Sequence, residues 1–499
     1  MRTQIVAGFL GKMLCAFALV MLVPLLCAIV QQEEVYRAFA LSALITGLFG
    51  LGLVRYGETT GHIGMREGFL IVAGTWLLTG IFGALPYWLS GLMPSLLCAV
   101  FESVSGLTTT GASVITNVEM LPASLLLWRS LTHWLGGMGI IVLFLVFLTN
   151  LGADAIHLFK AEAPGPTVDR VMPRIRHMAK ILWLMYVGFT FVEIILLYLA
   201  GMDLFDAVNH AFATMATGGF STKNASIKYY DSLPIEIVLN FFMFLAGGNF
   251  GLYYLVWKKG WGRLLQDAEF KLYLTIVTSA TVIIACFLYT QAATPLATGL
   301  RDALFTVISI ITSTGFITAD FDKWPPVAKM LLLVLMFVGG CAGSTAGGIK
   351  IIRIIILLKD AVGSLLRAVQ PRIVRTVKVD KKPVDFGLLH TILQFFFLYI
   401  VIFFISVLLI SATGLEPLES ISAAATTLGN VGPGFGMIGP TTTFAEVHPF
   451  AKFICIVNML LGRLELFTLL VLLHPEFWQP YMTRRAIGRV MEKAPAWRR

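Results

Sequence analysis

Four short segments of this chain combine threonine, serine and glycine in a way suited to a desolvated cation. They are Thr108-Thr109-Thr110-Gly111-Ala112-Ser113, Ala216-Thr217-Gly218-Gly219-Phe220-Ser221, Thr312-Ser313-Thr314-Gly315-Phe316-Ile317 and Thr426-Thr427-Leu428-Gly429-Asn430-Val431-Gly432. Glycine permits dihedrals that a Cβ forbids, so successive carbonyls can be aimed at one axis. Thr and Ser add hydroxyl oxygens of the same hard, neutral type, whereas Mg²⁺ or Zn²⁺ would call for carboxylates, His or Cys. No acid or His lies in the core of any turn. This chemistry points to a weakly hydrated monovalent cation, K⁺ foremost, bound weakly enough to leave again. The candidate ligands are Thr110, Gly111 and Ala112; Gly218, Gly219 and Phe220; Thr314, Gly315 and Phe316; and Asn430, Val431 and Gly432.

With Gly111, Gly219, Gly315 and Gly432 taken as equivalent, the turns recur at intervals of 108, 96 and 117 residues. A single Gly/Thr turn would be read as a helix connection; four in phase indicate four copies of one unit around an axis. Asp206, Asp302 and Glu419 each lie 13 residues before their glycine, where an acid suits an N-cap or first helical turn. The first copy departs from this register, with Cys98 at that position and Glu102 the nearest acid. In the fourth copy Gly429 and Gly432 both follow the Thr pair; spacing favours Gly432, and Pro433 stiffens the exit.

The elements that position these turns belong in a bilayer. Of 499 residues 57% are hydrophobic and 13% charged, against about 25% charged in ordinary globular chains. Apolar runs at Ile5–Val30, Ala38–Val54, Phe69–Leu89, Leu125–Leu148, Ile181–Ala200, Ile235–Trp257, Leu272–Tyr289, Val327–Val338, Leu388–Ile410 and Phe450–Leu473 give about ten spans. The first is read as a retained anchor, since no A-x-A-like site follows it. After two N-terminal helices the order is span, short helix, Gly turn, span, four times over. The short helices are half-helices dipping into the membrane, with their partially negative C-terminal ends at the turns. The domain boundaries read from this are 1–60 for the two N-terminal helices, then pore repeats at 61–160, 161–265, 266–382 and 383–499.

Placing the N-terminus inside puts Arg170/Arg174/Arg176/Lys180, Lys258/Lys259/Arg263, Arg367 to Lys382 and Arg484 to Arg499 on the cytoplasmic side. The turns then face outward and both termini are cytoplasmic. The net charge of +9 follows from this topology, and no nucleic-acid partner is implied. The six Cys are scattered in apolar sequence without CxxC, as small buried hydrophobes are. The eight His show no H-E-x-x-H or comparable spacing, which argues against a membrane enzyme; His210 is read as a packed polar residue.

Gly339-Gly340-Cys341-Ala342-Gly343-Ser344-Thr345-Ala346-Gly347-Gly348 interrupts the third repeat. Each Gly costs a helix roughly 0.8–1.0 kcal/mol against Ala, so the span breaks here. One reading is a loop beneath the turns that occludes the pathway, with Gly339, Gly340, Gly343, Gly347 and Gly348 as its pivots. The other is a close helix crossing of the small-residue type. A phosphate loop is excluded, since G-x-x-x-x-G-K-[ST] is missing. Arg463 and Glu465 interrupt the last span about 200° apart on a helix, so they do not pair with each other. Arg463 reads either as a positive barrier below the turns or as half of a salt bridge to a neighbouring span. Lys350 and Arg353 are expected at the cytoplasmic surface.

Taken together, the four turns, the Gly-rich run 339–348 and Gly-Arg-Leu-Glu at 462–465 resemble the Trk/Ktr/HKT superfamily of potassium transporters, and closely its bacterial Trk membrane subunit. The resemblance covers nearly the whole chain. It implies an all-α polytopic membrane protein of the bacterial inner membrane, with four fused membrane-pore-membrane repeats resembling K⁺-channel units, assembled as a homodimer with one pore per subunit. It further implies K⁺ as the transported ion, gating by the loop 339–348 opposite Arg463, and a cytosolic TrkA-like regulatory subunit that binds NAD or ATP. This chain has no Rossmann or Walker motif, so no bound nucleotide is expected in it. Only Gly is common to all four turns, a looser pattern than the K⁺-channel Thr-Val-Gly-Tyr-Gly. The remaining alternative is an H⁺- or Na⁺-coupled secondary transporter of K⁺ or another monovalent cation; no chain of membrane-centred acids suggests a proton relay.

Overall fold

A computed structural model of the chain describes residues 2–58, 63–139, 172–370, 376–380 and 382–479. It is a helical membrane protein. Six helices are long and apolar enough to span, or up to eight if each of two sharply bent pairs is one span. Ala123–Gly137, at the edge of the described residues, and the short Pro326–Phe337 account for the other two runs of the sequence reading. The second half of the Leu125–Leu148 run, Arg170 and the tail from Arg484 lie outside the described residues.

At the N-terminus, Thr3–Val20 and Leu22–Val30 pack against Tyr36–Tyr56. Small residues allow the approach: a methyl group placed on Gly11 would lie 2.6 Å from the Gly50 carbonyl oxygen. Beyond this pair the four repeats begin with Met65–Gly83, Met172–Leu199, Ala268–Gln291 and Phe386–Ser411. Half-helices follow at Leu96–Leu107, Leu204–Met215, Leu296–Ile311 and Pro417–Gly429. At about 1.5 Å per residue none can cross a core about 30 Å thick. Each ends in a turn, passes through one short 3₁₀ segment, or two in the fourth repeat, and leads into an outgoing helix beginning at Ala123, Leu233, Pro326 or Pro449.

Capping explains the 13-residue register and its exceptions. Asp203 caps the second half-helix and places Asp206 in its first turn, while Glu416 and Glu419 form a reciprocal capping box on the fourth. The first half-helix is not shorter: Ser95 accepts from the Cys98 N–H at 3.2 Å, so Cys98 stands where the acids stand elsewhere. The third departs from expectation. It starts after Pro295, about a turn earlier than its counterparts, which leaves Asp302 well inside the helix rather than in its first turn.

Two outgoing spans expected to be continuous are broken. Ile235–Trp257 divides into Leu233–Ala246 and Phe250–Lys259, bent by 94° at Gly247-Gly248-Asn249. Phe450–Leu473 divides into Pro449–Arg463 and Phe467–Leu473, bent by 116°, with Glu465 and Leu466 at positive φ. The third outgoing helix stops at Phe337 and resumes at Ile351, around the Gly-rich run.

Candidate ion pathway

The turns are built alike atom by atom. Two residues before each equivalent glycine the backbone is left-handed: Thr109, Thr217, Ser313 and Asn430 have φ of 55°, 54°, 56° and 55°. The glycines follow at 77°, 78°, 79° and 103°, a region Cβ disfavours. The residue between them directs its N–H back into the half-helix: Thr110 to Ser105 O, Gly218 to Ala213 O, Thr314 to Ser309 O and Val431 to Thr426 O, at 2.8–2.9 Å. That geometry identifies Gly432 rather than Gly429 as the fourth member.

The same four in-between residues close a ring. A methyl group on Gly111 would lie 2.0 Å from Gly218 O, on Gly219 1.9 Å from Thr314 O, on Gly315 2.3 Å from Val431 O, and on Gly432 2.6 Å from Thr110 O. Each turn therefore abuts the next, and the fourth abuts the first, with no room for a side chain at any of the four. Asn430 Nδ2 adds a bond across the closing seam, 3.0 Å from Thr110 Oγ1. Behind the ring, Thr108 and Thr110 share a hydroxyl contact of 2.8 Å, matched by Thr312 and Thr314. Ser105 and Ser309 donate to the carbonyls of Ala112 and Phe316. Phe220 and Phe316 are buried among aromatic partners, so their side chains wedge the turns while only their backbone is near the ring.

Directly against this ring lies the loop 339–348, folded back on itself through Gly339 N–H to Ile349 O and Ile349 N–H to Phe337 O, both 3.0 Å. Its contacts reach several repeats. Cys341 N–H donates to Gly247 O at 2.8 Å, Thr345 Oγ1 to Met215 O at 3.0 Å, and Gly347 N–H to Ser313 Oγ at 2.7 Å. Gly343 and Gly348 take positive φ, and Gly339, Gly340 and Gly347 sit where a methyl would be within 2.4 Å of a backbone oxygen. Arg463 meets the loop from the fourth repeat: Nη1 donates to Thr345 O (2.9 Å) and Thr109 Oγ1 (3.2 Å), Nη2 to the carbonyls of Gly136 and Gly137. One guanidinium thus bridges loop, first turn and first outgoing helix.

Arg353 is not at the surface. It is buried, paired with Glu465 and stacked 4.2 Å over Phe395. Lys350 likewise folds back to the Ala346 carbonyl. His210 is packed, with Nδ1 2.7 Å from Asp206 O and Nε2 2.9 Å from Ser221 Oγ.

The family model for TrkH, a cation transport protein, matches residues 34–480. The chain belongs to the TrkH family. It is 39% identical to the Trk system potassium uptake protein TrkH of Halomonas elongata, covering 96% of this chain and all of that one, and 39% identical with the same coverage to the protein of that name from Escherichia coli. The crystal structure of the potassium transporter TrkH from Vibrio parahaemolyticus superposes with a TM-score of 0.87 at 35% identity, over 96% of this chain and all of that one.

Sequence reasoning missed the side chains that hold this TrkH-family architecture in place. Glu269, in the first turn of its span, accepts from the N–H groups of Ala342 (2.7 Å) and Ile352 (3.0 Å), anchoring the loop at both ends. The signal was an acid at the start of a third-repeat span. Gly136-Gly137, Gly247-Gly248 and Gly339-Gly340 are pairs at corresponding points of three outgoing helices, and Gly462 precedes Arg463 in the fourth. Gly136 packs on Leu107 O and Gly462 on Leu428 O, each four residues before its ring glycine.

Proposed function

We propose that this chain mediates potassium uptake across the bacterial cytoplasmic membrane, through a central pore whose selectivity filter is the ring of backbone carbonyls at 110–112, 218–220, 314–316 and 430–432. The observation that carries this reading is the closed cycle of four equivalent turns, each glycine seated on the next repeat's carbonyl. Half-helix C-termini around that cycle bring partial negative charge to it from four sides, which favours a cation. Neutral carbonyl and hydroxyl oxygens suit K⁺, and the N–H groups of Thr110, Gly218, Thr314 and Val431 are engaged behind the turns.

The loop 339–348 is the gate and Arg463 its latch. Closed, the guanidinium holds Thr345 against Thr109 and sets a positive charge in the path of a descending cation. Opening needs this bridge to be exchanged for another, and a cytosolic TrkA-like subunit sensing NAD or ATP would supply the bias through the basic inner surface. A homodimer with one pore per protomer, cytoplasmic termini and the four repeats as folding units complete the reading. No catalytic chemistry is assigned to the chain.

Uptake of ⁸⁶Rb⁺ into liposomes containing the purified protein, with K⁺ and Na⁺ as competitors and no imposed gradient, tests it. Competition by K⁺ far better than by Na⁺ is expected. Equal competition rejects the filter. Uptake that appears only with an imposed H⁺ or Na⁺ gradient rejects passive flow in favour of coupled transport.

A further inference from the structure

We infer that Arg129, held by Glu102, together with His133 forms a clamp on Phe220 that sets the position of the second turn and thereby the pore's discrimination between K⁺ and Na⁺. This rests on the filter reading above. Glu102 lies in the first half-helix and Arg129 in the outgoing helix of the same repeat; both side chains are buried, at 0% and 3% exposure. Arg129 Nε donates to Glu102 Oε1 at 2.8 Å. Glu102 also accepts from Ser113 Oγ (3.0 and 3.1 Å) and from the Val114 N–H (3.0 Å), both just past the first turn.

The guanidinium spends its other donors outward from that pair. Nη2 is 3.3 Å from Ser113 Oγ, and Nη1 crosses to the second repeat, 3.1 Å from Ser221 O. Its carbon lies 4.0 Å from the centre of the Phe220 ring. One helical turn further, His133 stacks on the same ring at 4.1 Å and 24°. Its Nδ1 lies 2.6 Å from Gly106 O, which makes that nitrogen the donor and leaves Nε2 to accept the Phe220 N–H at 3.2 Å. Gly218 presses on the imidazole as well; a methyl there would be 2.5 Å from the ring.

Residues 218–221 are thus gripped by one face of one helix. The grip coincides with the two tightest joints of the ring, Gly111 on Gly218 O and Gly219 on Thr314 O. A buried ion pair is costly to desolvate and is a poor device for stability alone. A planar fork that directs several donors in fixed directions is a good device for placing a backbone. Among the described residues the other turns have no such clamp: the aromatic partner of Phe316 is the tilted His210 ring at 5.8 Å, and Ala112 and Val431 carry no ring.

Arg129→Lys keeps the buried charge and loses the fork, and Phe220→Leu removes the shared ring while leaving the ion pair intact. In the liposome assay both are expected to lower the K⁺/Na⁺ competition ratio, Arg129→Lys by roughly tenfold, the equivalent of one charge-assisted hydrogen bond. Purified yield and thermal midpoint are recorded alongside, and uptake is expressed per folded protein. A purely structural role would lower yield and midpoint while the ratio stayed at the wild-type value, and that result overturns the inference. If Arg129→Lys does not reach the membrane, Phe220→Leu decides: an unchanged ratio overturns the clamp. A wild-type protein that does not discriminate K⁺ from Na⁺ overturns the filter reading itself, which separates the two failures.

Discussion

The ring of turns and the loop packed against it are both glycine-rich backbone inside the helical bundle, yet they are held in opposite ways. The ring is the same structure four times, each copy locked by a left-handed residue, an N–H turned back into its half-helix, and a glycine seated on the neighbouring carbonyl. The loop exists once and is pinned by unlike partners: the Gly247 and Met215 carbonyls, Ser313 Oγ, the Glu269 carboxylate and Arg463. Repetition gives an arrangement that cannot relax at one point without disturbing its neighbours. A single loop on separate hydrogen bonds, worth about 1 kcal/mol each and up to about 3 where Glu269 or Arg463 takes part, can exchange them. On the proposed reading, the ring is the rigid part that distinguishes ions and the loop the bistable part that admits them.

The largest predicted break falls on the ring. Gly219→Ala forces a Cβ to 1.9 Å from Thr314 O at positive φ. With about 1–2 kcal/mol of left-handed strain before the clash is counted, K⁺-selective ⁸⁶Rb⁺ uptake is expected to fall roughly tenfold or more; near-normal selective uptake would show that the joints are loose. Gly315→Ser, whose Cβ would lie 2.3 Å from Val431 O, should displace that joint and shift the K⁺/Na⁺ preference in the same competition assay.

Removing the latch should act chiefly on the loop, although Arg463 also reaches Thr109 Oγ1 and the Gly137 carbonyl. Arg463→Gln deletes charge-assisted bonds worth about 1.5–3 kcal/mol each, so basal uptake without a cytosolic partner should rise roughly tenfold or more with the K⁺/Na⁺ ratio unchanged. A lost ratio with no added flux would instead make Arg463 part of the ring's support. Thr345→Val loses the hydroxyl bonds to Met215 O and Ala246 O and should raise basal uptake less, by a factor near five for about 1 kcal/mol. The smallest effect is expected for Asp302→Asn. Asp302 sits inside its helix and caps nothing, so stability should change by no more than about 0.5 kcal/mol. Asp206→Asn should cost more in a thermal melt, since Thr222 and Tyr230 hydroxyls and Lys223 converge on that carboxylate.

Much of the site was legible because its chemistry is local. Turns of Thr, Ser and Gly at recurring intervals disclosed the four units, and the density of glycine in 339–348 disclosed the broken helix. The register failed at Cys98 and Asp302 for a local reason: the half-helices share an end and differ in how they begin, since Ser95 caps as well as an acid and Pro295 starts the third helix earlier. The bends at 247–249 and 464–466 were not legible, because apolar composition satisfies the bilayer whether a helix runs straight or turns. Arg353 was misplaced for a related reason, since a cation near the end of an apolar run reads as interfacial until its partner is known, and Glu465 lies 112 residues away.

By itself, the sequence determined the solvent, the number of repeats, the candidate ligands and the place where the third outgoing helix breaks, all of which follow from composition, glycine and spacing within one segment. Only the tertiary structure decided that the turns close into a cycle, that Gly432 and not Gly429 completes it, and that Arg463, Glu269 and the Glu102–Arg129 pair hold the parts in position. Those are contacts between segments up to several hundred residues apart, and their energies depend on distance and direction in space, which spacing along the chain does not encode.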